Sequence, residues 1–292
     1  MKDFLTIKEF SKLSGIERTT LRWWDEQGIF SPAKRDPEND YRYYTPEQII
    51  AVNFITVMSS LGLPLKTIAE SEGVRNPEKI VRLIEQQEKK IDMELRRLRE
   101  CYSIIHTRRE MINYGMRVLE GFDILHGIRL DSTDESEKAK YVDVNKIAIL
   151  NRDDTPYVLG PRNEWKEGEG FFEPFTKFCN AANDFRINLS FPIGGYHDNW
   201  DEYIKAPQCP NHFISIDPTG NRKREEGKFL IGFSQGYYGQ FGDLPKRLEA
   251  CIEKNSLTVS GPVYTMYLHD EISTKDPSKY LAQICVAVSK KK

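Results

Sequence analysis

The sequence predicts a multidomain α+β protein: an N-terminal winged helix-turn-helix, a long helix suited to an antiparallel coiled coil, and a C-terminal α+β domain with an internal duplication. Three observations carry this. Residues 5–44 hold two short helical patterns around a tight turn, then a charged loop ending in Arg42-Tyr43-Tyr44. Ile84, Ile91, Leu98, Ile105, Ile112 and Leu119 recur at a spacing of seven. Beyond residue 145, β-type runs alternate with two helical stretches. The expected domains are 1–75 for the winged unit, 76–120 for the long helix, 121–144 for a linker and 145–292 for the C-terminal domain.

In the first domain, Thr6 and Glu9 have the spacing of a capping box, Gly15 supplies the turn, and Glu17 to Gln27 form a second helix that Gly28 terminates. In a helix-turn-helix the second helix is the one expected in a DNA groove. Thr45-Pro46-Glu47-Gln48 combines an N-cap, a proline at the first helical position and an acceptor at the third, so it opens a third helix through Val57. A short helix follows the break at Leu61-Gly62-Leu63-Pro64, with Lys66 in its first turn.

From Asn76-Pro77 the pattern becomes one long helix. Val81, Leu95, Tyr102 and Met116 fill most of a second heptad seam, which Glu88 and Arg109 interrupt. Unlike partners meet in an antiparallel pair, so the interruptions favour that pairing over a parallel zipper, and a homodimer results. Asp131 to Glu137 is polar enough to read as linker. After it come runs of β character at Lys146–Leu150, Tyr157–Leu159, Ile187–Phe191, Phe213–Ile216, Phe229–Phe233, Val263–Leu268 and Leu281–Val288, with helices near Phe171–Asn183 and Leu244–Lys254. Two rounds of strand, helix and strands suggest the duplication.

Composition sets limits. Net charge is −2, and residues 1–75 carry ten Lys and Arg against eleven Asp and Glu, so DNA binding rests on the placement of cations rather than on bulk charge. The five cysteines lie more than twenty residues apart, which gives neither a disulfide scaffold nor a metal or redox motif; no metal and no cofactor is expected. With no long apolar run and no leader pattern, a cytoplasmic protein without membrane contact is expected. The alternative reading is a small-molecule hydrolase or binding protein fused to a DNA-binding module, with His197-Asp198, His212 and His269-Asp270-Glu271 as the available acid and base groups. Lone loop histidines are more often structural, so no enzyme is expected.

The N-terminal half resembles the MerR family of transcriptional regulators, whose pattern is met by Thr20-Leu21-Arg22-Trp23-Trp24, Gly28, Pro32, Arg35 and Arg42-Tyr43. The C-terminal half resembles the GyrI-like effector-binding domains of multidrug-sensing members, on Gly227-Lys228-Phe229, Tyr237-Tyr238 and Ser260-Gly261-Pro262-Val263-Tyr264. The resemblance implies a dimer on palindromic double-stranded promoter DNA that activates RNA polymerase by distorting the duplex when a small-molecule effector binds. DNA contacts are expected from Arg18, Thr19, Thr20, Arg22, Trp23, Trp24, Arg35, Arg42, Tyr43 and Lys66. The tryptophans stand where the family has tyrosines, and one of the two is expected in the core.

The C-terminal domain is rich in aromatics suited to a planar, aromatic or lipophilic ligand. Phe172, Phe185, Trp200, Tyr203, Phe241, Tyr264, Thr265 and Tyr267 are the candidates. Multidrug sensors of this type place a glutamate after the tyrosine of the Gly-Pro-x-Tyr segment, where it faces a cation. Here that position is Thr265, which implies a preference for neutral or less charged ligands.

Overall fold

The computed structural model describes residues 3–72, 76–120, 147–166 and 170–290. The expected linker at 121–144 lies outside them, as does the start of the C-terminal domain at 145–146. The chain divides into two compact units, Met1–Leu98 and Arg99–Lys292, with the division inside the long helix.

The first unit runs β1 (Leu5–Thr6), α1 (Ile7–Ser14), α2 (Arg18–Glu26), β2 (Lys34–Arg35), β3 (Arg42–Tyr44), α3 (Ile49–Ser60) and α4 (Leu65–Glu72), followed by the start of α5 (Pro77–Leu119). The capping box is formed at α1: Glu9 N–H donates to Thr6 Oγ1, while Thr6 N–H donates to Glu9 at 2.8 Å. Gly15 closes the helix at φ +73°, a left-handed conformation that would strain any residue with a Cβ. A second capping box at Thr45 and Gln48 starts a single 3₁₀ turn, Pro46–Gln48, which leads into α3. The three short strands pair in the order β1-β3-β2. Their inner side adds Tyr44 to a stack with Phe10, ring centroids 4.6 Å apart, and Phe30 completes the aromatic centre of the core. Burying a side chain of this size stabilises by about 1.5–3 kcal/mol, which is what holds so small a unit together.

The second unit contains the rest of α5, then β4 (Ala148–Arg152), β5 (Thr155–Arg162), α6 (Phe172–Ala181), β6 (Ile193–His197), α7 (Trp200–Lys205), β7 (His212–Ser215), β8 (Arg222–Arg224), β9 (Gly227–Gln235), α8 (Leu244–Lys254), β10 (Leu257–His269) and β11 (Leu281–Lys290). All strands are antiparallel neighbours in one eight-stranded sheet of order β4-β9-β11-β10-β6-β7-β5-β8. The duplication is visible in this order. Strand, helix, strand, strand occurs as β5-α6-β6-β7, with the short α7 inserted between its last two strands, and again as β9-α8-β10-β11, and the two repeats meet back to back where β6 pairs β10. Strands alternate their faces. Phe229, Ile231 and Phe233 join Met111, Tyr114 and Val118 of α5 on one side, while Leu230, Val263, Tyr267 and Ile284 meet Tyr203, Leu244 and Leu248 of α7 and α8 on the other. Central β11 is covered on both faces and is buried without a break from Leu281 to Val286.

One sequence expectation is corrected, and two elements are added to those the sequence predicts. Ile187–Phe191 alternates like a strand but forms turns, because Asn188 Oδ1 accepts from Ser190 N–H at 2.9 Å and closes a local Asx turn that competes with a ladder. The strand comes next, at Ile193. Helix α7 and strand β8 were not expected; both are short, and α7 depends on Asn199, whose side chain caps Glu202 N–H at 2.9 Å. Among the described residues no helix is long and apolar enough to cross a membrane.

Candidate functional site

Helix α2 buries Leu21, Trp24 and Asp25 and leaves Arg18, Thr19, Arg22, Trp23 and Glu26 exposed, with Thr20 at the margin. The first four of those exposed side chains form one cationic, hydrogen-bonding face along the first turns of the helix. Trp23 is 46% exposed. Trp24 is a core residue: it is 6% exposed and packs edge-on against Phe30, so the expectation of a DNA contact from it is overturned by the burial that Leu21 and Trp24 share on one side of the helix. Lys66 is exposed in the first turn of α4, near the positive end of that helix.

The wing cations are less free than expected. Arg42 Nε and Arg35 Nη2 each donate to the same oxygen of Asp25 at 2.6 Å, and Arg35 reaches Asp40 at 3.1 Å. The Asp25 side chain is 2% exposed and that of Arg42 only 18%. An ion pair of this burial fixes the wing to α2 before it can serve a phosphate. Arg35 and the half-buried Tyr43 remain at the surface beside it.

Two helices about a left-handed glycine, a hairpin wing locked to the second helix and an exposed cationic helix face define a winged helix-turn-helix DNA-binding module of the regulator class. Residues 5–72 match the family described as MerR HTH family regulatory protein, and this segment is a MerR-type domain. Over the whole chain, the curated relatives include the multidrug-efflux transporter 2 regulator of Bacillus subtilis, 23% identical across 99% of this chain and 97% of the relative. The multidrug-efflux transporter 1 regulator of the same organism is 21% identical across 99% of each. Among solved structures, an EcmrR–DNA complex determined by cryo-EM aligns over 98% of this chain and 100% of its own at 16% identity, with a TM-score of 0.36.

The second site lies where the two repeats of the C-terminal sheet meet. A narrow crevice of about 10 Å³, room for about one water molecule, is lined by Phe171, Phe213, Phe241, Tyr267, His197 and Thr265. Gly195, opposite Thr265 in the β6–β10 pairing, leaves the hollow between them. A Cβ there would stand 3.1 Å from Pro210 and 3.5 Å from the Thr265 Cβ. Phe171 stacks on Tyr238, centroids 5.3 Å apart, and Tyr238 meets Tyr267 edge-on at 4.6 Å. The Tyr238 hydroxyl donates to Glu271. Burial, then the Glu271 carboxylate, raises the Tyr238 pKa above its ordinary value, so the phenol stays protonated as the donor.

Of the eight ligand candidates, the structure gathers Phe241, Thr265 and Tyr267 at this pocket. Strand alternation turns Tyr264 to the opposite face, against Tyr157 and Tyr196. Tyr203 is fully buried in the core and Trp200 packs on it. Phe172, in the first turn of α6, and Phe185, in the turns that follow that helix, are exposed to solvent and are not among the lining residues. Sequence reasoning missed Phe171, Phe213 and His197 as lining residues; the available signal was Gly194-Gly195 inside a strand, which marks a close approach of other groups. The histidines considered for catalysis have backbone partners: His197 Nε2 lies 3.3 Å from Ala206 O, His212 Nδ1 2.9 Å from Gly160 O and His269 Nε2 3.1 Å from Ile112 O.

The last turns of α5 also bear on this unit. Arg108 pairs with Asp270 at 3.2 Å and donates to Ser190 O at 2.7 Å. Gly115 is obligatory there, since a Cβ would come within 2.6 Å of His269 Nε2. The heptad stripe is left bare: Leu98, Tyr102 and Ile105 are 51%, 70% and 66% exposed.

Proposed function

We propose that this chain is an effector-responsive transcriptional regulator that binds a palindromic promoter as a dimer and activates RNA polymerase by distorting the DNA. The observation that carries the reading is the union, in one chain, of a MerR-type domain whose α2 face is free and an aromatic pocket at the repeat junction of a separate unit. The bare stripe from Ile91 to Ile105 supports dimerisation, because a run of large apolar side chains on one helix face is costly to leave in water. Arg18, Thr19, Thr20, Arg22 and Trp23 are assigned to bases and phosphates of the groove, with Arg35, Tyr43 and Lys66 assigned to the backbone. Phe241, Thr265 and Tyr267 are assigned to the effector.

Activation then requires two DNA-bound states of the dimer separated by a few kcal/mol and an effector that prefers one of them. The reading gives the protein no catalytic step and places it in the cytoplasm with its promoter. The test is a run-off transcription assay on the promoter upstream of its own gene. Occupancy by the dimer with or without ligand, and transcripts raised only with a planar aromatic ligand, is the expected result. Ligand-independent transcription at full promoter occupancy refutes the mechanism.

A further inference from the structure

The last turn of α2 holds two acids, Asp25 and Glu26, and no basic residue. Carboxylates there lie against the negative end of the helix dipole, so neither serves the stability of the helix itself. Asp25 is accounted for by the wing, since Arg35 and Arg42 both donate to it. Glu26 has no such partner: it is exposed, and among the described residues no side chain pairs with its carboxylate.

Helical geometry places this acid in the middle of the DNA-facing surface. At 100° per residue Glu26 lies about 40° round the axis from Arg22 and about 20° from Thr19, so the three form one ridge, with Arg18 and Trp23 on its flanks. Phosphates repel a carboxylate at such a place. Of the base edges in the major groove, guanine presents acceptors and thymine an acceptor with a methyl group. Adenine sets its amine beside the N7 acceptor, an arrangement that suits an amide. Cytosine alone offers an amine donor without an acceptor of its own, and a carboxylate is the side chain that accepts from it.

Resting on the DNA-binding reading above, we propose that Glu26 is a sequence-reading residue whose carboxylate accepts from N4 of a cytosine in each half-site. On DNA that lacks this cytosine the same charge is left facing phosphates and acceptors, so Glu26 also disfavours the wrong sequence.

The test selects bound duplexes from one pool with a randomised core, using the full-length parent, Glu26→Ala and Glu26→Gln in parallel. The side chain is exposed, so both variants should fold. The parent should require a C·G pair at one position of each half-site. In Glu26→Ala that preference should fall at least about fivefold while neighbouring positions keep theirs. Glu26→Gln should exchange cytosine for adenine at the same position, because an amide pairs with adenine N6 and N7. On poly(dA-dT), which contains no cytosine, Glu26→Ala should bind at least about threefold tighter than the parent at low salt. Base preferences unchanged at every position in Glu26→Ala, or a uniform gain on all sequences with no position singled out, overturn the proposal and leave DNA binding in place. A parent that enriches no sequence overturns the DNA-binding reading and the proposal with it.

Discussion

Asp25 takes the Arg42 guanidinium at 2.6 Å with its side chain 2% exposed, so the recognition helix and the wing strand are joined by a buried charge pair rather than by apolar contact alone. Removing one partner of such a pair leaves the other charge unbalanced. Asp25→Asn should therefore cost on the order of 3 kcal/mol, read as a lower denaturant midpoint for the first unit. An unchanged midpoint contradicts the structural role.

That pair also separates the two arginines once expected to act alike. Arg22 is exposed and uncommitted to the wing, and Arg22→Ala should weaken promoter binding and reduce the slope of log affinity against log salt by about one. Arg42→Ala should weaken binding chiefly through a loosened wing, with a smaller change in slope. Salt titrations of both variants by fluorescence anisotropy decide it, and equal slopes would show that Arg42 meets a phosphate directly.

Leu98→Glu with Ile105→Glu should convert the dimer to a monomer in sedimentation at micromolar concentration. Both side chains are already more than half exposed in the single chain, so the fold should survive. Buried against a partner helix, each carboxylate costs several kcal/mol. A parent protein that is itself monomeric removes the seam.

From the pocket, Tyr267 leads along β10 to His269 and Asp270, which touch α5, while Glu271 holds Tyr238 against Phe171 and Tyr267. Arg108→Met should leave effector affinity within roughly threefold and yet abolish ligand-induced transcription, because coupling and binding are separate free energies. Retention of full induction would show that the signal does not pass through Arg108.

His197 binds a proton more weakly in the folded state, about 4, than in the unfolded chain, 6.5. Its contribution is whole above about pH 6.5 and is lost as pH falls toward 4, since the unfolded chain then takes up the proton first. Between pH 7 and pH 5 the parent should lose about 2 kcal/mol more stability than His197→Phe. Parallel losses in guanidinium melts at the two pH values would place the proton elsewhere.

The N-terminal unit was the more legible part of the sequence because its signals are local: Thr6 with Glu9, Gly15, and Thr45 with Gln48 each act within one turn. Trp24 was undecided until Phe30 was placed against it, a contact no spacing within α2 reveals. In the second unit, alternation already separates Tyr264 from Thr265 and Tyr267, so that assignment was within reach of the sequence. His197 was not. Its place depends on the Ala206 carbonyl, after α7, that one nitrogen meets and on the β6–β10 register that sets Gly195 opposite Thr265. Ile187–Phe191 misled because a single Asx turn outweighed a strand-like alternation.

The end of α5 carries its sheet contacts, Met111, Gly115 and Val118, and its bare stripe, Ile105 and Met116, on neighbouring sides of one cylinder. At 100° per residue the centres of the two sides lie roughly 120° apart. The helix therefore has the mechanics of a crank. With side chains reaching about 5 Å from the axis, a turn of about 10° sweeps each stripe residue through roughly 1 Å. Displacements of that size suffice to repack an interface between subunits. Since Gly115 lets His269 press directly on the backbone, no compliant side chain stands there to absorb the motion.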